Sequence, residues 1–468
     1  MRRSILGIIT VAAAALAGPA MAAANHAELV QGPFQTGSDV TRACLQCHEQ
    51  QASDFMKTVH WTWSSRQQAG GREFNLGKIN AVNNYCIALP SNEPRCTSCH
   101  AGYGWKDASF DFGKAESVDC LVCHDTTGSY KKFPTAAGHP AYKDIEFPPK
   151  SGRIWPAVNL EKVAKSVGKP GRENCGACHF FGGGGDHVKH GDLDSSMAKP
   201  PRAMDVHMAI DGANMSCTAC HKSDKHVIPG KALSVSVAGA RQTLDCSDCH
   251  AGTPHSKNPL LDKHADRVAC QTCHVPSFAR TLPTKTWWDW STAGKDQVVA
   301  KDQYGLATYD KMKGDFRWEK DVRPVYAWFN GSVDRVLMGD RIDPKTVTHL
   351  NYPRGERGDK SARITPFKQM RGKQPYDSGN NVIAVPHVFG PGGYWQTYDW
   401  NSAIADGMKL AGLSYSGQYG FLETDMYWKV NHMVVPKAQA LACNACHGAN
   451  GRLDWKALGY AGDPRVRR

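Results

Sequence analysis

CIALPSNEPRCTSCH, from Cys86 to His100, joins the one cysteine that stands outside any motif to a CxxCH unit. Seven further copies surround it. The eight cysteine pairs are Cys44/Cys47, Cys96/Cys99, Cys120/Cys123, Cys175/Cys178, Cys217/Cys220, Cys246/Cys249, Cys270/Cys273 and Cys443/Cys446. Each is followed at once by a histidine, giving His48, His100, His124, His179, His221, His250, His274 and His447. Thiols at i and i+3 can each add to one vinyl group of a haem, which leaves the next residue beneath the iron as proximal ligand. Zinc ribbons do not require a histidine after every CxxC, and 17 cysteines are an odd number for a disulfide framework. Eight repeats point to eight covalent haem c groups.

Residues 1–24 read as a secretory signal, with Arg2 and Arg3, an apolar run from Ile5 to Gly18 and a small-x-small site at Ala20-Met21-Ala22. The run is too short to span a bilayer, and no later stretch qualifies. A soluble protein of the bacterial periplasm is expected. The formal charge of +12 belongs to the apoprotein. Each ferric haem adds about one net negative charge through its two propionates, so the basic balance is no argument for a nucleic-acid partner.

Eight of the 20 histidines belong to motifs. Electron-transfer haems take a second axial ligand, and His60, His190, His207, His226, His255, His264 and His432 lie near motifs in the sequence. Seven distal histidines for eight haems leave one haem without a histidine cap. The haem at Cys96-Cys99-His100 is the candidate, because Cys86 precedes it by ten residues and no free histidine lies between.

The expected fold is mainly α with extensive loops, a multihaem cytochrome c fold wrapped around eight haems, with a partly β, haem-poor insertion. After the signal at 1–24, residues 25–274 form a domain carrying haems 1–7. Residues 275–435 form an aromatic-rich insertion without haem, and 436–468 a C-terminal helix with haem 8. Helices are expected over Val158 to Val167 and Asp399 to Leu413, with another starting at Pro436. VYAWF-NG-SVDRVLM predicts a β-hairpin turning at Asn330-Gly331. The Gly182–Gly185 run lacks the GxxxxGK[ST] form and reads as close-packed backbone.

The motif number and order, the extra Cys86, and the segments VGKPGRENCGACHFFGGGGDHVKHGDLDSS and YSGQYGFLETDMYWKVNHMVVPKAQALACNACHG make the chain resemble the octahaem tetrathionate reductase family. The resemblance covers most of the mature chain. It implies a periplasmic multihaem oxidoreductase with seven bis-histidine haems and one active-site haem, the second, whose distal ligand is a lysine. It also implies reduction of tetrathionate, with nitrite and hydroxylamine accepted too. Carried over, the catalytic haem is held by Cys96, Cys99 and His100, with Cys86 at its distal face. For the lysine, Lys169 is the first choice, with Lys165 and Lys189 behind it. Lys169 and Arg172 are local cations for a dianionic substrate.

The implied partners are a small anionic or nitrogen-oxide substrate and a periplasmic or membrane-bound electron donor. The sequence leaves the oligomeric state open. Two other readings stand beside this one. An octahaem hydroxylamine oxidoreductase or nitrite reductase would crosslink a tyrosine to its catalytic haem, with Tyr415, Tyr419 and Tyr427 as candidates. A pure electron-transfer conduit would have eight six-coordinate irons.

Overall fold

A computed structural model of the chain describes residues 25–69, 72–83, 88–228, 245–250 and 252–466. Residues 1–24, the expected signal segment, and Cys86 lie outside the described residues. Among the described residues no helix is long and apolar enough to cross a membrane.

The first part of the chain is built from short helical turns strung on loops, as a chain wrapped around bulky groups should be. Its longest helix, α1 (Gly37–Phe55), starts at a capping box between Thr36 and Asp39 and contains the first motif. At His48 the backbone leaves helical geometry (φ −117°, ψ 34°), so the helix kinks at the motif histidine. The predicted helix over 158–167 is the shorter α2 (Leu160–Lys165), capped by Asn159, whose side chain accepts from Lys162 N. Leu160 and Val163 of α2 pack with Val40 of α1 and Leu121. The fourth motif lies in α3 (Arg172–His179).

The later part carries an eight-stranded sheet, more β structure than a partly β insertion implies. Its strands and a small neighbouring pair are β1 (Thr284–Asp289), β2 (Tyr309–Asp310), β3 (Gly314–Glu319), β4 (Val325–Phe329), β5 (Val333–Arg335), β6 (Thr348–His349), β7 (Asn351–Pro353), β8 (Arg363–Asp377), β9 (Val382–Ile383) and β10 (Tyr419–Lys429). The main order is β6-β10-β8-β1-β3-β2, with β4 and β9 also on β8, while β5 and β7 pair separately. β8 and β10 run antiparallel from Phe367↔Lys429 to Asp377↔Tyr419.

One side of this sheet is sealed by α4 (Trp400–Leu410), which Asp399 caps. Trp400, Ile404 and Met408 of α4 pack with Trp288, Trp290, Met370, Tyr394 and Met426. Most of the aromatic richness is therefore core. β8 is also tied to the seventh motif, because Thr272 Oγ1 donates to the Ile364 carbonyl (2.8 Å).

Two local expectations are corrected. The strands flanking Asn330-Gly331 do not pair with each other: β4 pairs with β8, and β5 with β7. The turn is docked instead, since Asn330 N donates to Arg354 O (2.8 Å) and Arg354 N to Ser332 O (2.8 Å). Two single-turn 3-10 segments, Lys437–Gln439 and Cys443–Ala445, stand where a helix from Pro436 is predicted. Ala440, extended at φ −61° and ψ 152°, ends the first of them and brings the chain onto the seventh motif, where Leu441 N donates to Cys273 O (3.0 Å).

Candidate functional site

Six motif histidines face a second imidazole. The pairs are His48 with His26 (centroids 6.2 Å apart), His124 with His226 (6.4 Å), His179 with His60 (6.2 Å), His250 with His207 (6.0 Å), His274 with His255 (6.2 Å) and His447 with His264 (6.3 Å). Imidazole nitrogens bind metals at about 2.0–2.1 Å. Adding about 1.1 Å from nitrogen to ring centre, two rings on opposite faces of one iron should stand about 6.3 Å apart. The spacing of all six pairs is that of a bis-histidine haem.

Of the expected distal histidines, His60, His207, His226, His255 and His264 are in these pairs. His432 donates from, or accepts at, Nδ1 with Asp192 Oδ2 (3.2 Å), and lies within electrostatic reach of Cys217 of the fifth motif. His190 is half-buried, its Nε2 buried without a partner among the described residues, and its ring stands edge-on to Trp428 at 4.8 Å. His26 is the addition. It sits just after the signal segment, where proximity to a motif gives no cue.

The motifs also adjoin one another. The sulfurs of Cys44 and Cys120, Cys99 and Cys178, Cys175 and Cys217, and Cys246 and Cys270 lie side by side. Cys123 lies within electrostatic reach of Cys178, Cys220 of Cys249, and Cys273 of Cys446. Motifs 1, 3, 4, 5, 6, 7 and 8 thus follow one another in space, and motif 2 joins the line at motif 4.

The sixteen attachment cysteines differ in how far protein covers them. Cys47 is exposed, as are Cys220, Cys249 and Cys443, whereas the other twelve are partly covered by protein. Cys47 sits on α1 immediately before the kink at His48; its motif partner Cys44 turns inward to Cys120 and packs beside Leu121, while Cys47 is left on the solvent side. Its CxxCH spacing still makes it a haem anchor, but one at the outer edge of the first motif.

His100 stands apart from the paired histidines. It is fully buried, and its ring meets Trp105 (4.9 Å), Trp61 (5.1 Å), Trp63 (5.3 Å), Phe110 (5.6 Å) and Phe112 (6.4 Å) rather than a histidine. Its Nε2 lies 2.6 Å from the Trp61 carbonyl oxygen. Burial pushes its pKa down to about 3, so the ring is neutral, the form that ligates a metal. Lys132 fixes the loop behind it. The Lys132 ammonium donates to His100 O, to Gly102 O (3.2 Å) and to Asp119 Oδ2 (2.9 Å), which occupies its three hydrogens.

Asn83 and Asn92, described residues on either side of Cys86, are both tied to later parts of the chain. Asn83 Oδ1 accepts from Lys189 Nζ (2.9 Å), and Asn83 O from Gln374 Nε2 (2.9 Å). On the other side Asn92 Oδ1 accepts from Val388 N (2.8 Å) and Phe389 N (3.1 Å). Lys189 is only 2% exposed, and its Nζ lies 5.2 Å from the Trp428 ring centre. Lys368 reaches out of β8 to hold this loop, donating to Lys189 O (2.8 Å), Val188 O (3.1 Å) and Thr284 Oγ1 (2.6 Å). Burial takes the Lys368 pKa well below its usual value.

The glycine run packs on the same residues. Gly183, at φ +84°, has no room for a side chain, since a Cβ there would lie 3.0 Å from Val188 Cγ1 and 3.2 Å from Lys189 Cβ.

The other expected cations lie elsewhere. Lys169 is exposed, and Lys165 pairs with Glu161 (2.6 Å). Arg172 clips the carbonyls of Ala198 (3.0 Å) and Met215 (2.7 Å). Of the tyrosines, Tyr415 Oη donates to Asn401 Oδ1 (2.6 Å), Tyr427 Oη accepts from Gln369 Nε2 (3.1 Å), and Tyr419 is exposed.

Comparison with known proteins agrees with this geometry. Residues 43–125 match the family described as cytochrome c554 and c-prime, and residues 285–450 the family described as bacterial cytochrome c. A protein of Archaeoglobus fulgidus with no assigned role is 25% identical over 240 residues, 43% of this chain and 79% of that one. The crystal structure of the octahaem cytochrome c from Shewanella oneidensis superposes with a TM-score of 0.87 at 51% identity, over 95% of this chain and 98% of that one. With eight CxxCH motifs and histidine pairs spaced to clasp iron, the chain belongs to the octahaem c-type cytochromes and carries covalent haem c.

Proposed function

We propose that this octahaem cytochrome is a periplasmic reductase whose catalytic haem is the second, that tetrathionate is its principal substrate, and that nitrite and hydroxylamine are further acceptors. The observation that carries the reading is the isolation of His100. Six other motif histidines face a second imidazole, whereas His100 sits in an aromatic cage. A haem with no second histidine can keep a displaceable ligand or an open site.

Lys189 replaces Lys169 as the distal ligand. It is buried and donates to Asn83, three residues before Cys86, whereas Lys169 faces solvent. Burial favours a neutral amine, and a neutral amine has a lone pair to give. Lys132 is the less suitable candidate, because its three hydrogens are already committed to acceptors.

The haems supply one-electron transfer when bound, and the spatial order of the motifs supports delivery to the second haem through the fourth. The chain's own residues handle the anion. Lys189 Nζ donates to Asn83, which precedes the Cys86 segment, and Lys368 holds the Lys189 backbone, so N–H donors rather than fixed charges are available to the anion. A Cys86 thiolate attacks one central sulfur of tetrathionate, breaks the central bond and releases one thiosulfate. It retains the other half as a cysteine-bound S–SO3 group. Two electrons then cleave that mixed bond, releasing the second thiosulfate and restoring the thiolate.

The signal at 1–24 and c-type attachment support export to the periplasm, with a periplasmic or membrane-bound donor feeding the chain. Cys86→Ala should slow tetrathionate turnover while leaving the haem spectrum unchanged. Equal rates in the two proteins would remove the thiol from the mechanism. Lys189→Met should change the ligand-field signature of one haem, and an unaltered spectrum would place the distal ligand elsewhere.

A further inference from the structure

Arg335 ends β5, and its side chain does the opposite of what arginine normally does. Arginine stems lie along apolar surface while the charged head reaches water. Here the Nε, Nη1 and Nη2 atoms are all buried, and none has a hydrogen-bond partner among the described residues. The neighbouring Asp334 cannot serve as counter-ion, since it is exposed and pairs with Arg354 (3.3 Å). Burial pulls the guanidinium pKa down to about 9, which still leaves it charged at neutral pH. A buried, uncompensated charge of this kind is strongly unfavourable, so the holoprotein must bring an anion to it.

The surroundings indicate which anion. Val333 of the same strand is buried, and Leu337, two residues beyond Arg335, bridges to Ala81. From Ala81 the chain leads back through Ile79, which packs with Cys96 and Cys99, to Lys78, whose Nζ donates to Cys96 O (3.1 Å). Through this bridge β5 adjoins the stretch of chain that is tied to the second motif. Each haem brings two carboxylates, and guanidinium binds carboxylate through two parallel hydrogen bonds.

We propose that Arg335 is the buried counter-ion of a haem propionate, the second haem being the candidate because the stretch tied to its motif bridges to the chain just after β5. The pairing holds that carboxylate ionised and offsets its charge, which keeps the haem easier to reduce than it would otherwise be. The proposal needs the haems but not the tetrathionate reading, and its test requires no substrate.

The test is spectroelectrochemical titration of the holoprotein at several pH values, for wild type, Arg335→Gln and Arg335→Lys, each with its haem content verified by mass. In Arg335→Gln one midpoint should move to lower potential and become dependent on pH, because the released propionate can take up a proton. Arg335→Lys should recover most of the wild-type midpoint. Unchanged midpoints across the pH range in Arg335→Gln would overturn the proposal, and unchanged midpoints with a raised KM for tetrathionate would assign the guanidinium to the substrate anion instead. If Arg335→Gln does not load haem, redox-difference infrared spectra decide. With haem labelled in its propionate carboxylates, the labelled band should shift between wild type and Arg335→Lys, and an unshifted band would refute the pairing.

Discussion

Replacing Lys132 by methionine should loosen the loop behind His100. The Lys132 and Asp119 side chains are 6% and 0% exposed, and their charges meet at 2.9 Å. Removing one partner of a buried ion pair costs about 3–5 kcal/mol, because the other charge is left uncompensated. Asp119 would still accept from Tyr103 Oη (2.7 Å), Tyr130 Oη (2.9 Å) and Val122 N (3.0 Å), which favours the lower end of that range. A loss of about 3 kcal/mol corresponds to a roughly 150-fold rise in local opening.

Native-state hydrogen exchange reads that opening without requiring the whole haem protein to unfold in two states. The reporters are Tyr103 N, which donates to Ser117 O (2.8 Å), and Asp119 N, which donates to Ala101 O (3.0 Å). The double variant Lys132→Met/Asp119→Asn should be less impaired than the single one, because it buries no lone charge. Exchange at these two amides within about threefold of wild type, less than 1 kcal/mol, would refute the reasoning.

Other expectations concern the remaining haems. His264→Ala should convert one haem, the eighth, from low-spin to high-spin in electron paramagnetic resonance, and His26→Ala should do the same for the first; an unchanged low-spin count would break the pairing with His447 or His48. Asp463 Oδ1 lies 2.7 Å from His447 Nδ1. That contact makes the imidazole a stronger donor and favours the ferric state, so Asp463→Asn should raise the potential of the eighth haem and Asp463→Glu should restore it. No shift in either variant would show that the carboxylate does not tune the haem.

The haems are legible in the sequence because their attachment is written in contiguous residues. Distal ligation is not, since it depends on where the chain returns. His60 follows the first motif yet faces His179 of the fourth, and His226 follows the fifth yet faces His124 of the third. The count of seven distal histidines omits His26, which faces His48, so His100 stands out by its surroundings rather than by the count. Its cage is made by residues from two separate segments, Trp61–Trp63 and Trp105–Phe112. Nor does contiguity tell which anchors meet solvent, since Cys44 and Cys47 are three residues apart and differ in cover.

The lysine is harder to place. Proximity to the fourth motif favours Lys169, and only folding shows that it faces solvent while Lys189 is buried. The long strand β8 is hidden for a related reason. RITPFKQMRGKQPYD lacks clean alternation because it is covered on both sides, and its Lys368 and Gln374, both 0% exposed, make hydrogen bonds to distant loops.

The most direct measurement is anaerobic: reduce the purified holoprotein, remove excess reductant, add tetrathionate, and follow haem reoxidation together with thiosulfate release. Rapid reoxidation with two thiosulfates formed for every two haem electrons consumed is the predicted result. Reoxidation by nitrite or hydroxylamine but not by tetrathionate, or by none of the three, would contradict the account.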